Sequence, residues 1–156
     1  MQTDLGIEAS NGSLGQGLSM GVGIALSYKK RNKNRKIIVL VGDGECYEGA
    51  IWEAVISASE LKLDNLTVIV DCNGFQNDGE IGNDMKYEKL FNKWYGFNWD
   101  CLKCDGHNFE ELIKCISQPS KNLPKVIIAK TVKGKGVKFM ENNNDWHHNR
   151  LTEKLY

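Results

Sequence analysis

The chain has 156 residues, 41% of them hydrophobic, which is enough to bury one sizeable core and is most simply a single domain, 1–156. Twenty Lys and Arg residues balance twenty Asp and Glu, so no overall positive field argues for nucleic acid or an anionic membrane surface as partner. No apolar run approaches the ~18 residues of a spanning helix, and "MQTDLGIEAS" lacks the charged and apolar regions of a signal peptide; a cytoplasmic protein is the expectation.

From Ser13 to Lys30 the apolar residues Leu14, Leu18, Val22, Ala25 and Leu26 recur at helical spacing, with Ser13 or Asn11 as the expected cap. This helix carries Gly15, Gly17, Gly21 and Gly23. Each glycine costs roughly 1 kcal/mol in a helix relative to alanine, so another helix or a ligand is expected to approach the backbone closely. The basic run Lys29 to Lys36 reads as a solvated helix end and loop rather than a phosphate site.

"KIIVLV" (Lys36 to Val41) has the apolar, β-branched pattern of a parallel strand covered on both faces. Glu48 to Leu63 is again helical, with Ala50, Ile51, Ala54, Val55, Ala58 and Leu61 in one stripe. "LTVIVDC" (Leu66 to Cys72) is the next buried strand, and Leu90, Phe91 and Trp94 mark a helix that Gly96 terminates. "NWDCLKC" reads as a strand, Asn108 and Glu111 form a capping box before a helix, and Lys125 to Val132 closes as a strand. This alternation predicts an α/β fold: an open, mostly parallel sheet with helices on both faces. The segment 134–156, rich in Gly, Asn and charge, reads as a surface tail.

Five cysteines, an odd number spread over buried-looking elements, suit a reducing compartment. Cys101 and Cys104 form a C-x-x-C, but no second pair completes a zinc site, and packing in the strand is the simpler reading.

Ligands of open parallel sheets bind at the carboxyl ends of the strands, where Asp43 and Asn73 both fall. Gly42 and Gly44 let the backbone turn and approach a ligand, while Asp43 projects from the strand end with no basic neighbour in sequence. Asn73 offers a hard, neutral oxygen of the kind Mg²⁺ or Ca²⁺ accepts, and a backbone carbonyl, water and a diphosphate would complete the shell. The plainer alternative makes Asp43 a helix cap and Asn73 the start of a turn.

The segments "EASNGSLGQGLSMGVGIAL", "GDGECYEGAIWEA", "KLDNLTVIVDCNGFQNDG", "DGHNFEEL" and "AKTVKGKGVKFMENNNDWHH" resemble, in order and spacing, the diphosphate-binding half of the transketolase family. The resemblance runs from about Glu8 to Asn149 and implies the thiamine diphosphate-binding fold. It implies thiamine diphosphate and Mg²⁺ (or Ca²⁺) as cofactors. Asp43, the Asn73 side chain and the Phe75 carbonyl would be the metal ligands, the Gly44 amide would meet the diphosphate, and Gly12 and Leu14 would line the cofactor's rings. Glu48 and Glu53 match family acids beside the cofactor and the subunit interface. His147 matches the histidine that reaches the diphosphate and the reacting substrate, although His148 stands where the family usually has glycine, so which of the two faces inward is open. His107 is family-like too, with a turn or capping role as the alternative.

The resemblance also implies what lies outside these residues: a pyrimidine-binding domain that carries the activating glutamate, and an N-terminal segment with further histidines. The expected function is the diphosphate-binding subunit of a split transketolase-like enzyme. Such an enzyme transfers a two-carbon ketol unit between sugar phosphates, and its partner in a homo- or hetero-oligomer would be a pyrimidine-binding subunit. The competing expectations are a truncated, non-catalytic cofactor-binding module and another thiamine diphosphate enzyme, such as a deoxyxylulose-phosphate synthase or a 2-oxo acid dehydrogenase component. A nicotinamide-binding domain would need G-x-G-x-x-G after the first strand, where "GDGECYEG" instead places an acid.

Overall fold

The computed structural model describes residues 3–10, 12–120 and 122–152. Four strands, β1 (Ile37–Gly42), β2 (Leu66–Cys72), β3 (Asp100–Asp105) and β4 (Lys125–Lys130), form one sheet in the order β1-β2-β4-β3. All three pairings are parallel. β4, the last strand in sequence, lies inside the sheet and has five consecutive buried residues.

Four helices connect the strands: α1 (Gln16–Lys30), α2 (Gly49–Glu60), α3 (Tyr87–Gly96) and α4 (Phe109–Ser117). Alternation along the strands sorts them by face. Val126 and Ile128 join the larger core with Leu18 and Val22 of α1, Ile51 and Val55 of α2, and Leu90 and Trp94 of α3. Ile127 and Ala129 turn the other way and meet Leu112, Cys115 and Ile116 of α4. Helices therefore flank both faces, as the alternation of elements predicts.

The second face is covered unevenly. α4 lies over β3 and β4, whereas Ile38 and Leu40 of β1 are 51% and 69% exposed. The expectation that this strand is covered on both faces therefore fails here, because β1 is an edge strand beyond the reach of α4. The larger core is closed by three tryptophans: Trp52 and Trp94 ring centroids lie 5.7 Å apart, and Trp94 meets Trp99 edge-on at 4.8 Å. Trp99 Nε1 donates to the Val55 carbonyl at 3.0 Å, giving its buried polar atom a partner.

The glycines of α1 divide into two kinds. A Cβ on Gly21 would lie 2.5 Å from Val39 Cγ2, so this glycine lets the helix settle onto β1. Gly17 and Gly23 face open space. The close approach inferred from composition is thus to a strand at Gly21 and, at Gly15, to α2.

The cap of α1 is not the one expected. Gly15, in the left-handed region at φ 83°, occupies the N-cap and supplies no side chain, while Ser13 only offers its carbonyl to the Gln16 N–H at 3.3 Å. Asn11, the other candidate, lies outside the described residues. Asn108 does cap α4, accepting from the Glu110 and Glu111 N–H groups at 3.0 and 3.2 Å, with Glu111 Oε1 taking the Asn108 amide in return. Lys29, in the last turn of α1, pairs with Asp64 at 2.6 Å, consistent with the basic run being a helix end.

Cys101 and Cys104 belong to opposite faces of β3, one packed on each core. Burial pushes their thiols up to about 12 and about 11, so packing is the better account of this C-x-x-C. No described helix is long and apolar enough to cross a membrane.

Candidate functional site

The carboxyl ends of β1 and β2 carry two adjacent turns. Gly42 ends β1 and the chain passes through Asp43 and Gly44 into a short 3-10 turn, Glu45–Tyr47, before α2 begins. Asp43 is 1% exposed, its carboxylate accepting from Gly44 N–H at 2.9 Å and Gly74 N–H at 2.7 Å. Burial raises its pKa, and the neighbouring Asp71 carboxylate adds to that, while the two amides oppose it. Among the described residues it has no Lys, Arg or His within ion-pair distance. A carboxylate so placed is a strong potential ligand for a cation, because the ion would compensate a charge the chain leaves uncompensated.

Asn73 follows β2 directly. Its Oδ1 accepts from Phe75 N–H at 2.9 Å, which makes an Asx turn and leaves a second lone pair free. Phe75 then enters a two-residue ladder, Phe75–Gln76 against Gly79–Glu80, so its backbone is held in register. The Gly74 carbonyl accepts from Ile81 N–H at 2.8 Å and closes this hairpin. Asp43 and Asn73 are therefore brought to neighbouring turns through Gly74, and their oxygens are of the hard type that suits Mg²⁺ or Ca²⁺. These residues fit a divalent ion that keeps a diphosphate and water as its other ligands. The Gly44 N–H, expected to meet a diphosphate, points at its own neighbour's carboxylate in this structure.

Gly12 and Leu14 precede α1 and are exposed. Their turn is joined to the Asp43 turn by a residue that the sequence reading missed. Glu45 Oε1 accepts from Gly15 N–H at 2.8 Å, and Oε2 accepts from Gly42 N–H at 3.2 Å. Its only sequence signal is an acid just before a helix, which is too common to be noticed. Glu48 is the N-cap of α2 and Glu53 lies one turn further on; both are exposed.

His147 lies on the tail, after a 3-10 turn, Asn144–Trp146. Its Nδ1 is 3.2 Å from Lys133 Nζ, and its ring centroid is 5.3 Å from that of His148. Lost hydration lowers its pKa, with the positive charges of Lys133 and His148 acting in the same direction. The tail is fastened to the Asn73 hairpin by Asn144 Nδ2, which donates to the Asn77 carbonyl at 3.0 Å, and Phe139 packs on Trp146 at 5.1 Å. No hydrogen bond or ion pair joins His147 to Asp43.

His107 has a backbone partner: its Nε2 accepts from Val132 N–H at 2.8 Å. It borders a cleft of about 440 Å³ at the ends of β3 and β4, with Lys130 and Lys135 on its rim. No residue of the Asp43 turn lines that cleft.

Residues 1–154 match the family model described as "Transketolase, thiamine diphosphate binding domain". The chain is 41% identical over 154 residues to an apulose-4-phosphate transketolase subunit of Phocaeicola vulgatus, covering 97% of this chain and 54% of that one. It is 37% identical over 158 residues to the 6-deoxy-6-sulfo-D-fructose transketolase subunit SqwG of a Clostridium species, covering 100% and 58%. It thus spans about half the length of these curated relatives. The crystal structure of transketolase from Campylobacter jejuni superposes with a TM-score of 0.87 at 33% identity, over 98% of this chain and 25% of that one. The GDG turn, the asparagine that ends β2 and the glycine-rich entry to α1 therefore sit in a fold shared with known transketolases, and the chain belongs to the transketolase family, within its thiamine diphosphate-binding domain.

Proposed function

We propose that this chain holds the diphosphate end of thiamine diphosphate through a divalent cation, as one subunit of a split transketolase-like enzyme acting on sugar phosphates. The observation that carries the reading is Asp43: buried, paired with no basic side chain among the described residues, and seated where ligands of parallel sheets bind. Asp43, Asn73 Oδ1 and the Phe75 carbonyl would hold the ion, preferably Mg²⁺. The Gly44 N–H would turn to the diphosphate once the ion draws the Asp43 carboxylate away. Gly12 and Leu14 would line the rings. When bound, thiamine diphosphate supplies the carbon nucleophile that carries a two-carbon ketol unit.

The remaining residues have roles that follow from their protonation and position. Lys133 is a donor only, so His147 accepts from it at Nδ1 and keeps its proton on Nε2. The ring, with its lowered pKa, then offers Nε2–H to an oxyanion or a diphosphate oxygen. Exposed Glu48 and Glu53 would face a second subunit that carries the pyrimidine-binding site. Two relatives bear names of transketolase subunits, for apulose-4-phosphate and 6-deoxy-6-sulfo-D-fructose, which supports assembly with a partner and a sugar-type substrate. Five free cysteines, four of them with pKa values raised chiefly by burial, favour a reducing, cytoplasmic setting.

The test is ketol transfer from a panel of ketose phosphates by the chain alone and with a candidate pyrimidine-binding subunit. Turnover that requires both subunits and Mg²⁺ is expected. Full turnover by the chain alone would overturn the split-enzyme reading.

A further inference from the structure

The two turns proposed to bind the cofactor come from distant parts of the chain, and one side chain spans them. Glu45 uses both carboxylate oxygens, one on the Gly15 N–H at 2.8 Å and one on the Gly42 N–H at 3.2 Å. Gly15 is the N-cap of α1, lacks any side-chain cap of its own, and sits against Ala50 and Glu48, where a Cβ would come within 3.2 Å of each. A negative charge at the start of a helix is favoured by the helix dipole, and it gives an otherwise orphaned N–H its acceptor. No Lys, Arg or His pairs with Glu45 among the described residues. Its partners are two backbone amides, one at the end of the Gly12–Leu14 turn and one at the start of the Asp43 turn.

We propose that Glu45 is a positioning residue, a strut that fixes the Gly12–Leu14 turn against the Asp43–Gly44 turn at the spacing that a ligand touching both requires. The inference rests on the reading of those turns as a cofactor site, but it makes a claim of its own about selectivity. A ligand that reaches only the Asp43 turn, such as inorganic pyrophosphate with Mg²⁺, should be indifferent to the strut. A ligand that also lies against Gly12 and Leu14, such as thiamine diphosphate with Mg²⁺, should depend on it. Aspartate at this position is one methylene shorter and can reach one amide but not both; glutamine places an N–H₂ against one of the two N–H donors.

The experiment compares the full chain with Glu45→Gln and Glu45→Asp by two readouts. Amide hydrogen exchange, read without ligand, should rise about tenfold in Glu45→Gln at whichever of Gly15 and Gly42 faces the glutamine N–H₂, while the Gly74 amide keeps its protection. Calorimetric titration should show about tenfold weaker binding of Mg²⁺–thiamine diphosphate in Glu45→Gln, a smaller loss in Glu45→Asp, and unchanged binding of Mg²⁺–pyrophosphate in both. A merely structural role would weaken both ligands equally, and that result overturns the proposal. Unchanged exchange at both Gly15 and Gly42 overturns it as well, whatever the ligands do. If the wild type binds neither ligand, alone or with a pyrimidine-binding subunit, the cofactor-site reading fails by itself, and the exchange result still decides whether Glu45 holds the two turns together.

Discussion

Gly74 N–H donates to Asp43 Oδ2 at 2.7 Å across thirty-one residues of sequence, tying the turn that ends β1 to the turn that ends β2. The bond aims a main-chain donor at a carboxylate that burial leaves short of partners, and so prearranges the two turns that carry Asp43 and Asn73.

Gly74 has φ 83°, a conformation that costs a side-chain-bearing residue roughly 1–2 kcal/mol. Gly74→Ala is therefore expected to lower stability by about that amount and to weaken Mg²⁺–thiamine diphosphate binding, because the amide shifts off Asp43. Chemical denaturation and calorimetry check the two effects. Wild-type stability with wild-type affinity would show that the turn tolerates another backbone path.

The glycines of α1 should respond oppositely to alanine. Gly21→Ala drives a methyl group into Val39 and is expected to destabilise by about 1–3 kcal/mol. Gly23 is exposed with open space around it, so Gly23→Ala should stabilise by up to ~1 kcal/mol through helix propensity alone. Thermal melts of the two variants decide, and equal effects would contradict the assignment of Gly21 as the contact glycine.

His147 has a pKa below the usual 6.5 because of lost hydration and the charges of Lys133 and His148. A depressed folded-state value means that the unfolded chain binds more protons in the window between the two values. Stability from this group is therefore complete above pH ~6.5 and falls as the pH drops through that window. NMR titration of the ring should give a midpoint below 6.5 that rises in Lys133→Ala. A midpoint at or above 6.5 in the wild type would contradict the geometry of this corner.

Cys101 and Cys104 point to opposite faces of β3 with thiols pushed up to about 12 and about 11. Native alkylation at pH ~8 should be slow at both, and mild oxidation should not join them. A disulfide between them, detected by mass spectrometry on folded protein, would refute the packing role.

Much of the architecture was legible because the signals are local. The β-branched runs at Ile37 and Leu66 became adjacent parallel strands, and Asn108 with Glu111 formed the capping box that their spacing requires. The unread parts depend on long-range geometry. The placement of the last strand inside the sheet is a matter of topology, and the bare side of Ile38 and Leu40 follows from where α4 happens to lie. Ser13, one of the two expected caps of α1, does not cap it because the acceptor comes from Glu45, thirty residues downstream of Gly15, while Asn11 lies outside the described residues. At the candidate site, the placement of Asp43 and Asn73 in neighbouring turns at the strand ends was readable from the glycines and apolar runs around them. Gly74, which joins them, and Lys133, which orients His147, were not, since a backbone amide and a surface lysine carry no motif.

The most direct measurement is calorimetric titration of Mg²⁺ and thiamine diphosphate into the wild type and Asp43→Ala, alone and with a pyrimidine-binding subunit. Mg²⁺-dependent binding that tightens with the partner and is lost in a folded Asp43→Ala chain is the expected result. Equal affinity in the two chains, or binding indifferent to Mg²⁺, would contradict the assignment of Asp43 as the residue that holds the ion.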